Sequence, residues 1–527
     1  MFKNYNMNQL VLPLDLEIRL QENDIAFAVH HLVESIPDDA FEPFTRTTGC
    51  PAYHPRMMMK IILCAYTQSV FSGRKIEGLL QDSLRMMWLA QGNEPSYRTI
   101  NRFRVHPAVT PILKQAFVTF RCHLVEMGEI KEEAIFIDGT KLEANANRYT
   151  FVWRKSVERY SASLVEKSNL LYEELVAQEI LPEIERESPD ELTIPELEHI
   201  GNVLEERIAS INQEIEASSD TQERKRLRSE RKQPHLFRKK FAEFVERKRK
   251  YAVQKEMFDG RNSYSKTDTD ATFMRMKEDH MQNGQLKPGY NVQIATEGQY
   301  TLAYDIYPNP TDARTLIPFL DEVASYLTLP EHIVADAGYG SQENYQEILM
   351  RRGRIPLIPY TMFQKEKTRK WRDDPFNLAN WSYDETTDHF VCPNGQNVTF
   401  RYMSKRTDRY GFTRDFKVYE SESCDDCPLR SLCTKAEKGR HRQVRVNISW
   451  EEQKGQVKDL LSDQKTGKIY AKRKIDVEPV FGNLKANLRF TRFSVRGKAK
   501  VKRELGFILM AVNLRKWLTQ SIARGAI

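Results

Sequence analysis

Cysteine is scarce in this chain, with seven in 527 residues. So few thiols, without paired spacing throughout, suit a reducing compartment and exclude a small disulfide-stapled scaffold. Glycine and proline are modest at 23 each, which excludes a collagen-like repeat, and 40% hydrophobic content excludes a wholly disordered chain. Long apolar runs are missing too. The longest, Leu505 to Val512 around one glycine, is far short of the roughly 20 residues that span a bilayer. The first residues meet Asp15 and Glu17 early and have no apolar stretch followed by small residues, so no secretory signal is expected and the expected address is the cytoplasm. Neither charge sign dominates strongly. Lys+Arg 80 against Asp+Glu 73 gives net +7, which is compatible with a nucleic-acid partner. A chain this long outgrows one core, so a core with satellite or inserted domains is expected.

Residues 1 to about 130 read as helical. In HPRMMMKIILCAYTQSVFSG, Met58, Ile61, Ile62 and Ala65 recur at helical spacing, with Pro55 in the first turn. A second helix is expected from Lys75 to Met87, and Ser96 is the expected cap of YRTINRFR, which carries Arg98, Arg102 and Arg104. A short turn before a basic helix is the pattern of a DNA-reading helix-turn-helix, and equally that of a solvated bundle helix. AIFIDGTKL then reads as a buried strand containing Asp138. From about 150 to 270 the chain turns charged and helix-prone, divided by Pro182, Pro189 and Pro195 and ending in a dense basic run suited to phosphate contact or to a solvated arm. GYNVQIATEGQYTLAYDIYP reads as a hairpin turning at Glu297-Gly298. A helix capped by Thr311 or Asp312 follows, then HIVADAGYGS as a second buried strand closing in Asp336, with Ser341 capping the next helix. This alternation is an α/β pattern.

Three carboxylates stand out by position: Asp138 and Asp336 at the ends of apolar strands, and Glu478 within KIDVEPVF. A buried carboxylate needs a compensating positive group. Mg²⁺, which prefers carboxylate oxygens and water, is a natural one, and an isolated acid can instead cap a helix or pair with lysine. Two such ions would clamp the attacking and leaving oxygens of a phosphoryl displacement, with Asp138 bridging and Asp336 and Glu478 flanking. Asp476 is the alternative third acid, and Asp305 or Asp312 the alternative second. Asp312 reads better as a helix cap, and Asp268 and Asp270 as structural.

IDGTKLEANANRYTFVWRKS, SKTDTDATFM, GYNVQIATE, VADAGYGS and YAKRKIDVEPVFGNLK together resemble a DDE transposase of a bacterial insertion sequence. HPRMMMKIILCAYTQSVFSGRKIE and SYRTINRFR likewise resemble the helical N-terminal domain, of InsH type, found in such enzymes. The resemblance implies an α/β fold with an RNase H-like catalytic core, a mixed sheet flanked by helices. Around it stand an all-helical N-terminal DNA-binding domain (1–130), a charged helical insertion (151–284) and a cysteine-bearing insertion (361–450), the core being 131–150, 285–360 and 465–520. It implies Asp138, Asp336 and Glu478 as a catalytic triad holding two Mg²⁺ or Mn²⁺ ions. It also implies cleavage and strand transfer on double-stranded DNA, at terminal inverted repeats and in target DNA, by a homo-oligomer of at least two chains in a bacterial cytoplasm, at the nucleoid. Tyr470, Arg473, Glu478 and Lys485 resemble the Tyr-Arg-Glu-Lys signature of one branch, with one extra residue between Arg473 and Glu478, so Lys474 is the alternative occupant. Arg98 and Arg102 are further expected DNA contacts.

Cys392, Cys424, Cys427 and Cys433 include one C-x₂-C pair, and the set suits either a structural Zn²⁺ or reduced thiols. Cys50, Cys64 and Cys122 read as core thiols. LRFTRFSVRGKAKVKR interleaves aromatic and basic residues, so Phe490 and Phe493 suit either base stacking or a core.

Overall fold

A computed structural model describes residues 20–45, 51–276, 284–437 and 439–524. Cys50 lies outside them. The chain forms two compact units, Met1–Glu143 with Tyr290–Ile527, and Ala144–Gly289.

The first unit opens with helices α1 Ile25–Glu34, α2 Pro55–Thr67, α3 Gly73–Asp82, α4 Leu84–Ala90, α5 Tyr97–Arg104 and α6 Val109–Glu126. Helix α2 is buried on every face and mostly apolar, and its two cations, Arg56 and Lys60, are buried too. Its one lysine, Lys60, is fully buried and is matched by Glu34 at 2.5 Å. The single helix expected over 75–87 is two helices, because Ser83 takes an extended conformation between them. Cys64 is buried, whereas Cys122 is exposed on α6 and is no core thiol. Strand β1, Ala134–Glu143, follows.

The second unit holds β2 Phe151–Trp153, α7 Arg154–Ala177, α8 Ile194–Ala217, α9 Thr221–Phe258, β3 Ser263–Ser265 and β4 Thr272–Arg275. Its core gathers Leu171, Tyr172, Leu197, Ile200, Leu204 and Phe241 from the three helices. Thr193 and Glu196 close a capping box at the start of α8, fixing where that helix begins after the proline-bearing break. Along α9 the basic residues meet glutamates of their own unit, as Arg238 meets Glu205 at 3.1 Å. The arm's charge is therefore partly neutralised internally.

Strand β5, Leu286–Glu297, continues the chain back into the first unit and pairs antiparallel with β6, Tyr300–Tyr307. Gly298 and Gln299 join them with φ of 59° and 63°, the pair of left-handed residues a two-residue hairpin turn requires. Next come α10 Leu316–Ala324, β7 His332–Ala335, α11 Gln342–Gln346 and β8 Ile355–Leu357. Strands β1, β7 and β8 run parallel, and β5 lies on the other side of β1 with β6 beyond it, giving the order β6-β5-β1-β7-β8.

After α12, Arg369–Arg372, a second antiparallel sheet forms from β9 Ser382–Asp384, β10 His389–Val391, β11 Asn397–Thr407, β12 Thr413–Ser421 and β13 Gln443–Val446, with the short α13 Arg430–Cys433 in its last loop. The chain closes with α14 Ile448–Ser462, α15 Gln464–Ala471, α16 Arg473–Gly482 and α17 Lys498–Ala523. Helix α17 is buried from Leu505 to Leu514, and Phe490 and Phe493 just before it are 2% exposed, so both phenylalanines are core rather than stacking surfaces. Among the described residues no helix is long and apolar enough to cross a membrane.

Candidate active site

The parallel pairing of β1 with β7 ends at Ile137 opposite Ala335. Asp138 is the next residue within β1 and Asp336 the first residue after β7, so the two aspartates stand side by side on neighbouring parallel strands; β1 runs on to Glu143, so Asp138 lies inside its strand and not at the end that the sequence suggests. Asp138 is 8% exposed, and its Oδ1 accepts the Gly139 N–H at 2.7 Å. Asp336 is half-buried and opens a helical turn, its Oδ1 accepting the Gly338 N–H at 2.8 Å.

A third carboxylate joins them. Asp312, which the sequence suggests as a helix cap, makes no side-chain cap in its turn 312–314; Asn291 Nδ2 donates to its Oδ1 at 2.7 Å and Gln293 Nε2 at 3.1 Å. A Cβ placed on Gly139 would stand 2.8 Å from Asp312 Oδ1, and one on Gly338 would stand 2.9 Å from Asp336 Oδ1 and 3.7 Å from Asp312 Oδ2. The two glycines thus leave room for the three carboxylates to face a common space. Tyr339 is fully buried beside it and donates its hydroxyl to Gln293 Oε1. Burial, and then the charges of Asp312, Asp138 and Asp336, hold that phenol well above its ordinary range. Asn291, Gln293 and Tyr339 escaped the sequence reading. The one signal for Asn291 and Gln293 was polar side chains on an otherwise apolar strand; Tyr339 lies in the turn after Asp336.

The C-terminal helices close one side. Arg473 Nη1 stands 3.7 Å from Asp138 Oδ2, so Arg473, and not Lys474, reaches the aspartate. Tyr470 is half-buried, and burial raises its hydroxyl's pKa while Arg473 opposes the shift. Glu478 is exposed, on the face of α16 opposite the buried Asp476 and Val480. The buried acid of this helix is Asp476, and it is structural: its Oδ1 accepts the Thr296 hydroxyl at 2.6 Å. Asp305 is likewise structural, paired with Lys502 at 2.9 Å. Lys485 sits half-buried in the π-helical turn Asn483–Asn487 that continues α16. Arg98 and Arg102 are exposed on α5, whereas Arg104 is buried against Glu504 at 3.7 Å and Tyr66 at 3.0 Å.

The donors at the site are hard carboxylate oxygens with space between them, the chemistry that suits Mg²⁺ or Mn²⁺. Among the described residues, no three Asp, Glu, His or Cys side chains are already gathered at ligating distance.

A mixed sheet of this order, flanked by helices and carrying Asp138 and Asp336 on its neighbouring parallel strands, is an α/β core of the kind that a DDE transposase domain implies. Residues 391–518 match the family model described as a transposase DDE domain, and residues 14–106 match one described as a transposase domain (DUF772). No curated protein and no solved structure matches. Two segments of the chain are therefore similar to transposase domains, the C-terminal one to a transposase DDE domain.

Proposed function

We propose that the protein cleaves DNA at the terminal inverted repeats of an insertion sequence and joins the freed ends to target DNA. The side-by-side placement of Asp138 and Asp336 on adjacent parallel strands, in a chain with two transposase-family segments, carries this reading. Asp138, Asp336 and Asp312 form the acidic wall, and Glu478 completes the set from the helix that already reaches Asp138 through Arg473. The chemistry that two Mg²⁺ or Mn²⁺ ions supply when bound is neutralisation of charge on the attacking and leaving oxygens. The chain's own contribution is positioning. Asn291 and Gln293 fix the orientation of Asp312, and Arg473 balances Asp138 and, released from it, meets a DNA phosphate beside Tyr470 and Lys485. Arg98 and Arg102 add phosphate contacts from the helical N-terminal region. The working form is a homo-oligomer, at least a dimer on DNA, in the bacterial cytoplasm.

The test is a cleavage and joining assay on duplexes carrying the element's ends. Wild type yields joined product from pre-cleaved ends, and Asp138→Asn and Asp336→Asn yield neither cut nor joined DNA. Cutting without joining would make the protein a nuclease. Binding with no cleavage by the wild type would make it a non-catalytic DNA-binding descendant.

A further inference from the structure

The loops of the second sheet hold a cluster outside the acidic site. Cys392 directly follows β10, Cys424 and Cys427 follow β12, and Cys433 ends α13. All four line one small cavity of about 20 Å³, together with Trp381 and Arg442. That space admits a single water-sized occupant. All four cysteines are free of disulfides, and Cys424 is buried.

Three observations point to what the cavity holds. The sulfurs already accept N–H groups: Arg442 donates from Nη1 to Cys433 Sγ at 2.8 Å and from its backbone N to Cys424 Sγ at 3.4 Å. Donors of this kind orient and stabilise metal-bound thiolates. The loop is also poor in apolar packing. The sheet's core is Trp381, Val398, Tyr419 and Val444, while Leu432 in α13 is 70% exposed and Arg430 ties the loop together through the carbonyls of Cys424 (2.9 Å), Glu437 (2.8 Å) and Arg440 (3.0 Å). A module with so small a core typically needs a staple. Finally, Arg430 and Arg442 supply positive charge beside what would be four thiolates around a divalent ion. His441 is an unsuitable ligand through Nδ1, which accepts the Cys424 N–H at 3.1 Å.

We infer that Cys392, Cys424, Cys427 and Cys433 form a structural zinc site that staples the loop after β12 to the turn after β10. The sulfurs do not stand at ligating distance in this conformation. Cys433 is engaged by Arg442, and zinc binding would draw the four sulfurs together, with loss of the thiol protons to solvent. Four thiolates leave no open position, so the ion takes no part in DNA chemistry.

The experiment is metal analysis of the full-length protein after reconstitution with Zn²⁺ and a wash with EDTA, alongside Co²⁺ substitution. The expected result is one zinc per chain that survives the wash, release on mercurial modification of the thiols, and a thiolate-to-cobalt charge-transfer band with the Co²⁺ form. Cys427→Ser lowers retained zinc at least 10-fold, while Asp138→Asn retains it in full, so this outcome stands apart from that of the catalytic reading. A wild-type protein that retains no zinc and gives no cobalt band overturns the inference, whether its thiols titrate as free or as a disulfide, and that measurement needs no variant to fold.

Discussion

Replacing Gly139 by alanine tests whether the acidic wall depends on space that only a glycine leaves. Gly139 lies within β1 with no left-handed φ, so its backbone accepts alanine without strain. The added methyl, however, would stand 2.3 Å from Gln293 Nε2, 2.8 Å from Asp312 Oδ1 and 3.1 Å from Asn291 Oδ1. These atoms belong to one hydrogen-bonded set, in which Gln293 Nε2 also donates to Asn291 Oδ1 at 3.0 Å. An ordinary contact needs roughly 3.4 Å or more, so the Gln293 amide must retreat by about 1 Å, enough to break its bonds. Overpacking costs about 1–3 kcal/mol, and a lost hydrogen bond to a charged group about 1.5–3 kcal/mol. Relief of the glycine's entropy in a strand returns about 0.5–1 kcal/mol. The net expectation is a loss of about 1.5–5.5 kcal/mol, concentrated at Asp312. The assay is thermal unfolding with and without Mn²⁺. Gly139→Ala should melt lower than wild type, and Mn²⁺ should raise its Tm less. Gly482→Ala is the control: that glycine is helical with nothing within 4 Å of its Cβ position, so it should be neutral or stabilised by up to about 1 kcal/mol. A Gly139→Ala protein with the wild-type Tm and the wild-type response to Mn²⁺ would refute the reasoning.

Other expectations are independent of this one. Asp312→Asn keeps an oxygen to accept from Asn291 and Gln293 but removes the charge. It should leave Tm near wild type and weaken Mn²⁺ binding by about 10–100-fold, read by calorimetry. Glu504 is 1% exposed and pairs with the buried Arg104. Glu504→Gln should therefore cost about 3 kcal/mol, read by denaturant unfolding; an unchanged midpoint would mean the pair contributes nothing. His30 is lowered from 6.5 to about 4 by burial and then by Lys60. Between those values the unfolded chain binds a proton that the folded one does not, so stability falls as pH drops from 6.5 toward 4 and is unaffected above. His30→Gln should flatten that part of the Tm–pH curve, and an unaltered slope would show that other groups set it.

Local pattern alone fixed much of this protein. A run of aliphatic residues leading to an aspartate specifies a buried strand carrying an acid, so Asp138 and Asp336 were legible one strand at a time, although β1 continues past Asp138 to Glu143. The hairpin at Gly298 and the cap at Ser341 were equally local, because turn and cap chemistry is decided within four residues. Cysteine spacing likewise announced a cluster. What only the tertiary structure decided is which groups meet. Asp312 reads as a cap because Asp before a helix usually caps it, and only the side-by-side placement of β5 and β1 brings Asn291 and Gln293 to hold it beside Gly139. Helix α16 carries acids at 476 and 478, and neighbouring composition does not say which one faces inward. That follows from the helix's rotation against the β5–β6 hairpin, where Thr296 takes Asp476. The same holds for the arginines of α5, where about half a turn of helix separates an exposed Arg102 from an Arg104 committed to Glu504, four hundred residues away. Periodicity states that a face is buried; the partner that buries it lies elsewhere in the chain, and its charge decides what each polar residue does.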